Sequence, residues 1–309
     1  MPLRGKIHRD AVLENVSINY KPDGFLSGEF PTVPVVRESD IYYVYSRDSM
    51  RIEETLRQKG KANRATWDLS TSSYQLEDHA LMDLVYDKDR ENADRPIKLD
   101  IDTTEILTQK LMLRYEKSLA TLLQTVGNWS NNMSLSTSQN FATNTTNPIT
   151  LYDTATAIIV QQSGRMPNVI VLPFTSFQLV KENSATVDRI KFTSADSITP
   201  QMLARLFNVE RVLVPRVTEY TGQEGLADTT TNQSFIWTDS SFVGYVDPSP
   251  GLKKVTSWMS FTKSNEGGDR PRVTRWREEM EEADAIRVQK QYQHKAVATM
   301  CGFVIQDTR

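Results

Sequence analysis

A chain of 309 residues with 39% hydrophobic content can bury a core in one large domain or two modest ones, which excludes a disordered tail. Its 36 basic and 39 acidic residues nearly cancel to a formal charge of -3, so no global field draws it onto nucleic acid. A single cysteine excludes an intrachain disulfide, and no apolar run approaches the ~18 residues of a membrane span.

Residues 1 to 36 scatter apolar side chains among Pro2, Pro22, Pro31 and Pro34, which interrupt helix and favour extended chain. That is the composition of an arm. Ile41 to Tyr45 is dense in aromatic and β-branched residues and reads as a strand, and Ala65 to Leu76, with Trp67, Leu69 and Tyr74, reads as a second. Between them Arg57, Lys59, Lys61 and Arg64 surround Gly60 with positive charge, as at an exposed loop tip. Glu77 to Glu105 then holds ten acidic residues against four basic ones. These neighbouring segments are either two solvated surfaces or complementary docking sites between subunits.

Asp102-Thr-Thr-Glu105 resembles a capping box and predicts a long helix starting there. Ile106, Leu107, Leu111, Leu119, Leu122, Leu123 and Val126 recur at helical spacing until Gly127 stops the pattern. The stripe does not persist over the heptads that a coiled-coil dimer needs. Residues 128 to 150, rich in Asn, Ser and Thr, read as an irregular connection.

Beyond it the pattern is α/β. Asn168 to Leu172 is a buried strand, Pro173 opens a helix through Phe177 and Val180, and Thr199-Pro200 caps another through Leu206. Arg211 to Val214 is a strand, and Thr221 to Gln233, rich in Gly, Thr and Asp, is expected to be a mobile surface loop. Phe235 to Trp237, Phe242 to Val246 and Val255 to Phe261 read as sheet, Asn265 to Pro271 as a turn, and Ala285 to Ile305 as two strands.

Residues that could carry chemistry are scarce. His8, His79 and His294 are the only histidines, and none lies at the spacing of a zinc helix or finger. Cys301 sits in an apolar run and reads as a buried small hydrophobe rather than a nucleophile. No nucleophile elbow, phosphate loop or dinucleotide fingerprint is present. Asp247 with Glu266 can be paired only on paper, and Glu278 to Glu282 reads as a solvated polar face before it reads as a cation site. Arg270 to Arg277, with Trp276, is the nearest approach to a nucleic-acid patch and reads better as a strand entrance with charged flanks.

Several segments, in order and spacing, resemble the major capsid proteins of tailed phages, whose fold is named after the Hong Kong 97 phage shell. They are Val16 to Phe25 with Phe30 to Val35, Glu91 to Pro96 before the long helix, and Pro167 to Leu172. Ile198 to Leu203, Phe207 to Val212, Trp237 and Tyr245 to Pro250 continue the series, so the resemblance spans roughly Val16 to Ile305.

The resemblance implies an α+β fold with residues 1 to 36 as N-terminal arm and 37 to 100 as an extended β-hairpin loop and its return. Residues 101 to 150 would form a peripheral domain on a spine helix, 151 to 250 an axial domain, and 251 to 309 strands completing both sheets. It implies a structural protein without enzymatic activity, cofactor or metal, assembling as hexamers and pentamers into an icosahedral shell around double-stranded DNA that it does not read by sequence. The implied partners are further copies of the chain, a portal and a scaffolding protein, with a decoration protein admitted and no membrane. The chain begins directly with the arm, so the resemblance implies either a separate scaffolding protein or the absence of the N-terminal scaffolding segment here. The implied location is the virion capsid, after assembly in the host bacterial cytoplasm.

An encapsulin-like nanocompartment shell is the alternative within the same fold. Expected inter-subunit contacts are Tyr42, Tyr43, Tyr45, Arg57, Lys59, Lys61, Arg64, Trp67 and Tyr74: an aromatic set on strands with no adjacent core partner in sequence, and a basic tip suited to salt bridges with a neighbouring subunit.

Overall fold

The computed structural model describes residues 24–308 apart from 54, 56–59, 94–97, 137–139, 144–145, 192–197, 223–231, 250, 252 and 265–270. In chain order the regular elements are β1 (Thr32–Val35), β2 (Ser39–Tyr45), β3 (Leu69–Gln75), β4 (Glu77–Tyr86), α1 (Asp87–Glu91) and α2 (Leu99–Gln124). There follow β5 (Asn131–Ser134), α3 (Pro148–Ser163), β6 (Val169–Val171), α4 (Phe174–Glu182), α5 (Ser184–Ile190), α6 (Pro200–Leu206), β7 (Arg211–Leu213) and β8 (Thr218–Tyr220). The chain closes with β9 (Gln233–Phe235), β10 (Ser241–Gly244), β11 (Trp258–Lys263), β12 (Arg272–Glu278), β13 (Ala283–Ala296) and β14 (Gly302–Gln306).

The first sheet is organised by β13. One side of this strand pairs with β4 throughout Ala283–Tyr292, and the other pairs first with β12 and then with β11. Parallel to the outer side of β11 runs β1, so the segment read as an arm ends as an edge strand of this sheet. Helix α2 lies across the sheet, where Leu107 and Leu111 pack with Val85, Ile286 and Val288.

The second sheet runs β5-β14-β10-β6-β7. Its neighbouring residues alternate between two cores, as the period of a strand requires. Ile170, Val243, Phe303 and Ile305 meet the helical layer of α3, α4 and α6, while Val169, Val171, Phe242 and Val304 meet Leu119, Leu123, Trp129 and Trp237. Both faces are covered, which is why the strand at Val169–Val171 is wholly apolar.

Three local differences from the sequence reading have physical causes. The helix starts at Leu99 rather than at the Asp102 box, because Leu99 already packs on the Val85 cluster and Asp100 pairs with Arg90. Asp100 and Asp102 then sit in its first turn, where carboxylates suit the helix dipole. Residues 131–134, irregular by their Asn and Ser content, form a strand because β14 offers a parallel edge. Helix α3 lies partly in that same polar connection and is absent from the sequence reading, although Asn147 caps Ile149 N at 2.9 Å, Pro148 begins the first turn and Gly164 ends the helix with φ 67.

Where α2 crosses β13, aromatic and polar groups meet. Tyr115 packs edge-on against Tyr292 and His294 at 4.6 and 4.5 Å between ring centroids, and the Lys290 Nζ lies 3.9 Å from the Tyr115 ring centroid. His294 Nε2 lies 3.3 Å from the Tyr115 carbonyl oxygen, so it donates, and the Ser260 hydroxyl donates to Nδ1 at 2.8 Å. That pattern belongs to a neutral imidazole. Burial lowers the His294 pKa to about 4 against the hydrogen bond to Tyr115, and Lys290 and His79 add to the lowering.

These contacts have two measurable consequences. Leu119 is fully buried and Ile106, on the same helix, is half exposed. The expected cost of Leu119→Ala in urea unfolding of the purified chain is roughly 2 to 5 kcal/mol, against less than about 0.5 kcal/mol for Ile106→Ala. Equal small effects would put the stripe on the wrong face. For His294, the unfolded state takes up its proton first, so stability is full above about pH 6.5 and is lost as pH falls toward about 4, by on the order of 3 kcal/mol. His294→Gln is expected to flatten the stability profile in that window, and parallel profiles for the two proteins would rule out a buried neutral imidazole.

Candidate inter-subunit surface

Strands β2 and β3 pair antiparallel from Ser39 opposite Gln75 to Tyr45 opposite Leu69. Opposed residues share a face, so Ile41, Tyr43 and Tyr45 lie beside Ser73, Thr71 and Leu69, and Tyr42 and Tyr74 fall on the reverse. The reverse face has a core partner in its own chain. Tyr42 and Tyr74 pack on Phe261 with ring centroids 6.0 and 4.6 Å away, and Tyr74 is buried.

Polar contacts fasten the same end of the hairpin. Leu76 N donates to the Glu38 carbonyl at 2.7 Å, Gln75 N donates to Gln293 Oε1 at 2.9 Å, and the Lys295 ammonium donates to the Ser73 carbonyl. At the far end of β2, the Arg47 guanidinium reaches the Gln162 carbonyl and Lys253 lies over the Tyr45 ring. The hairpin is therefore laid on its own subunit by one face. Tyr42 and Tyr74, expected as contacts to a neighbouring subunit, are corrected to packing on Phe261 of their own chain, a partner far away in sequence.

The other face is open apart from its far end, where Lys253 lies over the Tyr45 ring. Ile41 is 57%, Tyr43 58% and Trp67 65% exposed, with Tyr45 stacked on Trp67 at 6.0 Å. Leu69, Met50 and the fully extruded Ile52 extend the apolar area. Exposed apolar area of this kind makes the face a candidate contact surface. Lys61 and Arg64 are exposed in the irregular stretch leading into β3, whereas Arg57 and Lys59 lie outside the described residues, as do 223–231 of the expected mobile loop and most of the arm.

The acidic segment is not uniformly available to that basic tip. Arg90 binds Asp87, Asp100 and Asp284 at 3.1, 2.9 and 2.8 Å, and Arg275 and Arg277 close the network from β12. The Arg277 guanidinium holds the Asp87 carboxyl below its usual range, and Arg275 followed by Arg90 does the same for Asp284. Asp87 and Asp100 thus fasten α1 and α2 to the sheet within the subunit.

A further carboxylate escapes the sequence reading. Glu116, fully buried, accepts from Leu26 N at 3.1 Å, Ser27 N at 2.9 Å and the Trp237 indole N–H at 2.8 Å. It ties the end of the arm to the middle of α2. Its position, three before Leu119 and seven before Leu123, places it in the apolar stripe, which is the signal that could have found it.

Among the described residues the candidate chemical groups Cys301, His79 and Asp247 lie apart from one another. Cys301 is buried and burial raises its thiol pKa, and His79 stacks on Tyr292 at 4.5 Å. Asp247 accepts from Ser249 N and Lys254 in its own turn, while Glu266 lies outside the described residues. Among the described residues no cluster of His, Cys, Asp and Glu could hold a metal, and no helix is long and apolar enough to cross a membrane.

No family model matches the chain. It is 26% identical over 255 residues to the major capsid protein of Burkholderia phage BcepMu, across 81% of this chain and 80% of that one. Its structure is similar to that of a phage-related protein from Bordetella bronchiseptica, with a TM-score of 0.70, 19% identity and coverage of 94% of each chain. It is also similar to the capsid structure of cyanophage P-SCSP1u, with a TM-score of 0.65, 6% identity and coverage of 94% of this chain and 90% of that one. The fold is the Hong Kong 97-like fold of phage capsid proteins.

Proposed function

We propose that this chain is the major capsid protein of a tailed phage, a structural subunit of the shell that encloses the double-stranded DNA genome. The observation that carries this reading is the coincidence of a capsid fold along nearly the whole chain with a sequence relative named as a phage major capsid protein. The same relative favours a phage shell over an encapsulin-like compartment, which the fold alone would accommodate.

In this reading residues 1–36 are the arm, β2 and β3 the extended loop, α2 the spine, the second sheet with α3 to α6 the axial domain, and the first sheet the peripheral domain. Subunits associate as hexamers and pentamers, with portal and scaffolding proteins as partners, in the host cytoplasm. The physical argument for association is the hairpin. A two-stranded hairpin is marginal in water unless its faces are covered, and here one face is covered by Phe261 while Ile41, Tyr43 and Trp67 stay in solvent. A second copy laid against that face would remove the exposed area. Surface ion pairs contribute only about 0 to 1 kcal/mol each, so Lys61 and Arg64 set register more than affinity.

The test is Ile41→Thr combined with Tyr43→Thr. Both side chains are exposed, so the subunit is expected to keep its melting temperature within about 2 °C while losing the ability to close shells. Electron microscopy and sedimentation of the material from expressing cells read the second outcome. Shells at the wild-type yield would overturn the assignment of the hairpin, and a wild-type chain that never enters a shell would overturn the function itself.

A further inference from the structure

The chain enters the described part of the subunit through a short strap, residues 24–30, laid across the middle of α2. Gly24 turns the backbone there with φ 76, and a methyl group added to it would lie 3.3 Å from the Arg216 Cβ. Leu26 and Phe30 are buried, Phe30 edge-on against Trp258 at 4.8 Å. Glu116 grips the backbone between them. Its Oε1 accepts from Leu26 N and the Trp237 indole N–H, and its Oε2 accepts from Ser27 N.

A buried charge is an expensive way to fill this core, since an apolar side chain would occupy the same space among Leu119, Leu123 and Trp237 at lower cost. What a carboxylate adds is the capacity to accept three N–H groups at once, two of them from the strap. The left-handed turn at Gly24 is a second, independent constraint on the same few residues, because a side chain there is strained by φ and crowded by Arg216.

We propose that Gly24 and Glu116 are positioning residues for assembly: together they fix the point and direction at which residues 1–23 leave the subunit. The inference rests on the capsid reading above. A closed shell repeats each of its contacts in many copies, so a segment that reaches a neighbour must leave every subunit in the same way. Residues 1–23 span as much as ~75 Å when extended, and a pivot at their root is magnified along that length. A root held rigid also lowers the ordering cost of whatever contact the segment makes.

Two substitutions test this from different sides. Glu116→Gln keeps the size of the side chain, but an amide has one acceptor oxygen, so in either orientation its NH2 group meets at least one of the three donors and leaves it buried without a partner. Gly24→Ala strains the turn at an exposed position and leaves Glu116 in place. Leu111→Ala is the control, since Leu111 is buried on the same helix but packs in the other core, on Val85, Ile286 and Val288. Hydrogen exchange of the purified chain and electron microscopy of assembled material are read together. Glu116→Gln is expected to speed exchange of the Leu26 and Ser27 amides by about tenfold or more while β13 keeps its wild-type protection. Gly24→Ala is expected to keep the melting temperature within about 4 °C, and both variants to give irregular aggregates in place of closed shells. Leu111→Ala is expected to lower the melting temperature, keep the strap amides protected and still close shells. Protected strap amides in Glu116→Gln, wild-type shells from either positioning variant, or shell loss that follows melting temperature alike in all three would overturn the inference and leave the capsid reading intact. Should Glu116→Gln fail to fold, shells from Gly24→Ala decide alone. If the wild-type chain formed no shells, the underlying reading would fail first.

Discussion

Helix α2 has to satisfy two cores at once, and the rest of the subunit is arranged around that constraint. Its 26 residues extend ~39 Å, longer than one small hydrophobic core can cover. The first half packs Leu107 and Leu111 on the β4 and β13 sheet, and the second half packs Leu119 and Leu123 on the Phe242, Trp129 and Trp237 cluster beside the second sheet. Between the halves, Tyr115, Glu116 and His294 form a polar crossing in which the imidazole and carboxylate have hydrogen-bond partners. A single rigid rod thereby holds two sheets in fixed relation, which a flexible linker would not do.

The outward-facing surfaces follow from that arrangement. Glu116 holds residues 26 and 27 against the helix, β1 continues onto the edge of β11, and β2 then leaves the sheet with Tyr42 against Phe261. By the time the chain reaches Tyr43 the subunit's own apolar partners on that side are used, and the outer face of the hairpin is left in water. An isolated protein gains nothing from such a face. A shell protein does, because burying it against a neighbour supplies association energy without disturbing the subunit's cores.

Much of this is legible in the residues. The stripe from Leu107 to Leu123 identifies the helix, the aromatic and β-branched run at Ile41 to Tyr45 identifies a strand, and the wholly apolar Val169–Val171 identifies a buried one. Tertiary partners decide the remainder. Asn131–Ser134 is a strand only because β14 lies alongside, and the first turn of α2 exists because Leu99 and Asp100 have the sheet and Arg90 to meet. The division of the aromatic set could have been drawn from the two-residue period of the strand, which separates Tyr42 from Tyr43. Which of the two faces would find Phe261, more than two hundred residues from Tyr42 in sequence, could not. Arg57 and Lys59, expected by their charge to meet a neighbouring subunit, lie outside the described residues.

The account turns on whether the open face of the hairpin is covered by another copy. A cryo-electron microscopy reconstruction of particles formed by this chain addresses that most directly. The account requires a closed icosahedral shell in which Ile41, Tyr43 and Trp67 are buried against a neighbouring subunit while α2 keeps its packing on β13. A shell in which those side chains stay in solvent, or purified material that forms only small soluble oligomers, would contradict it.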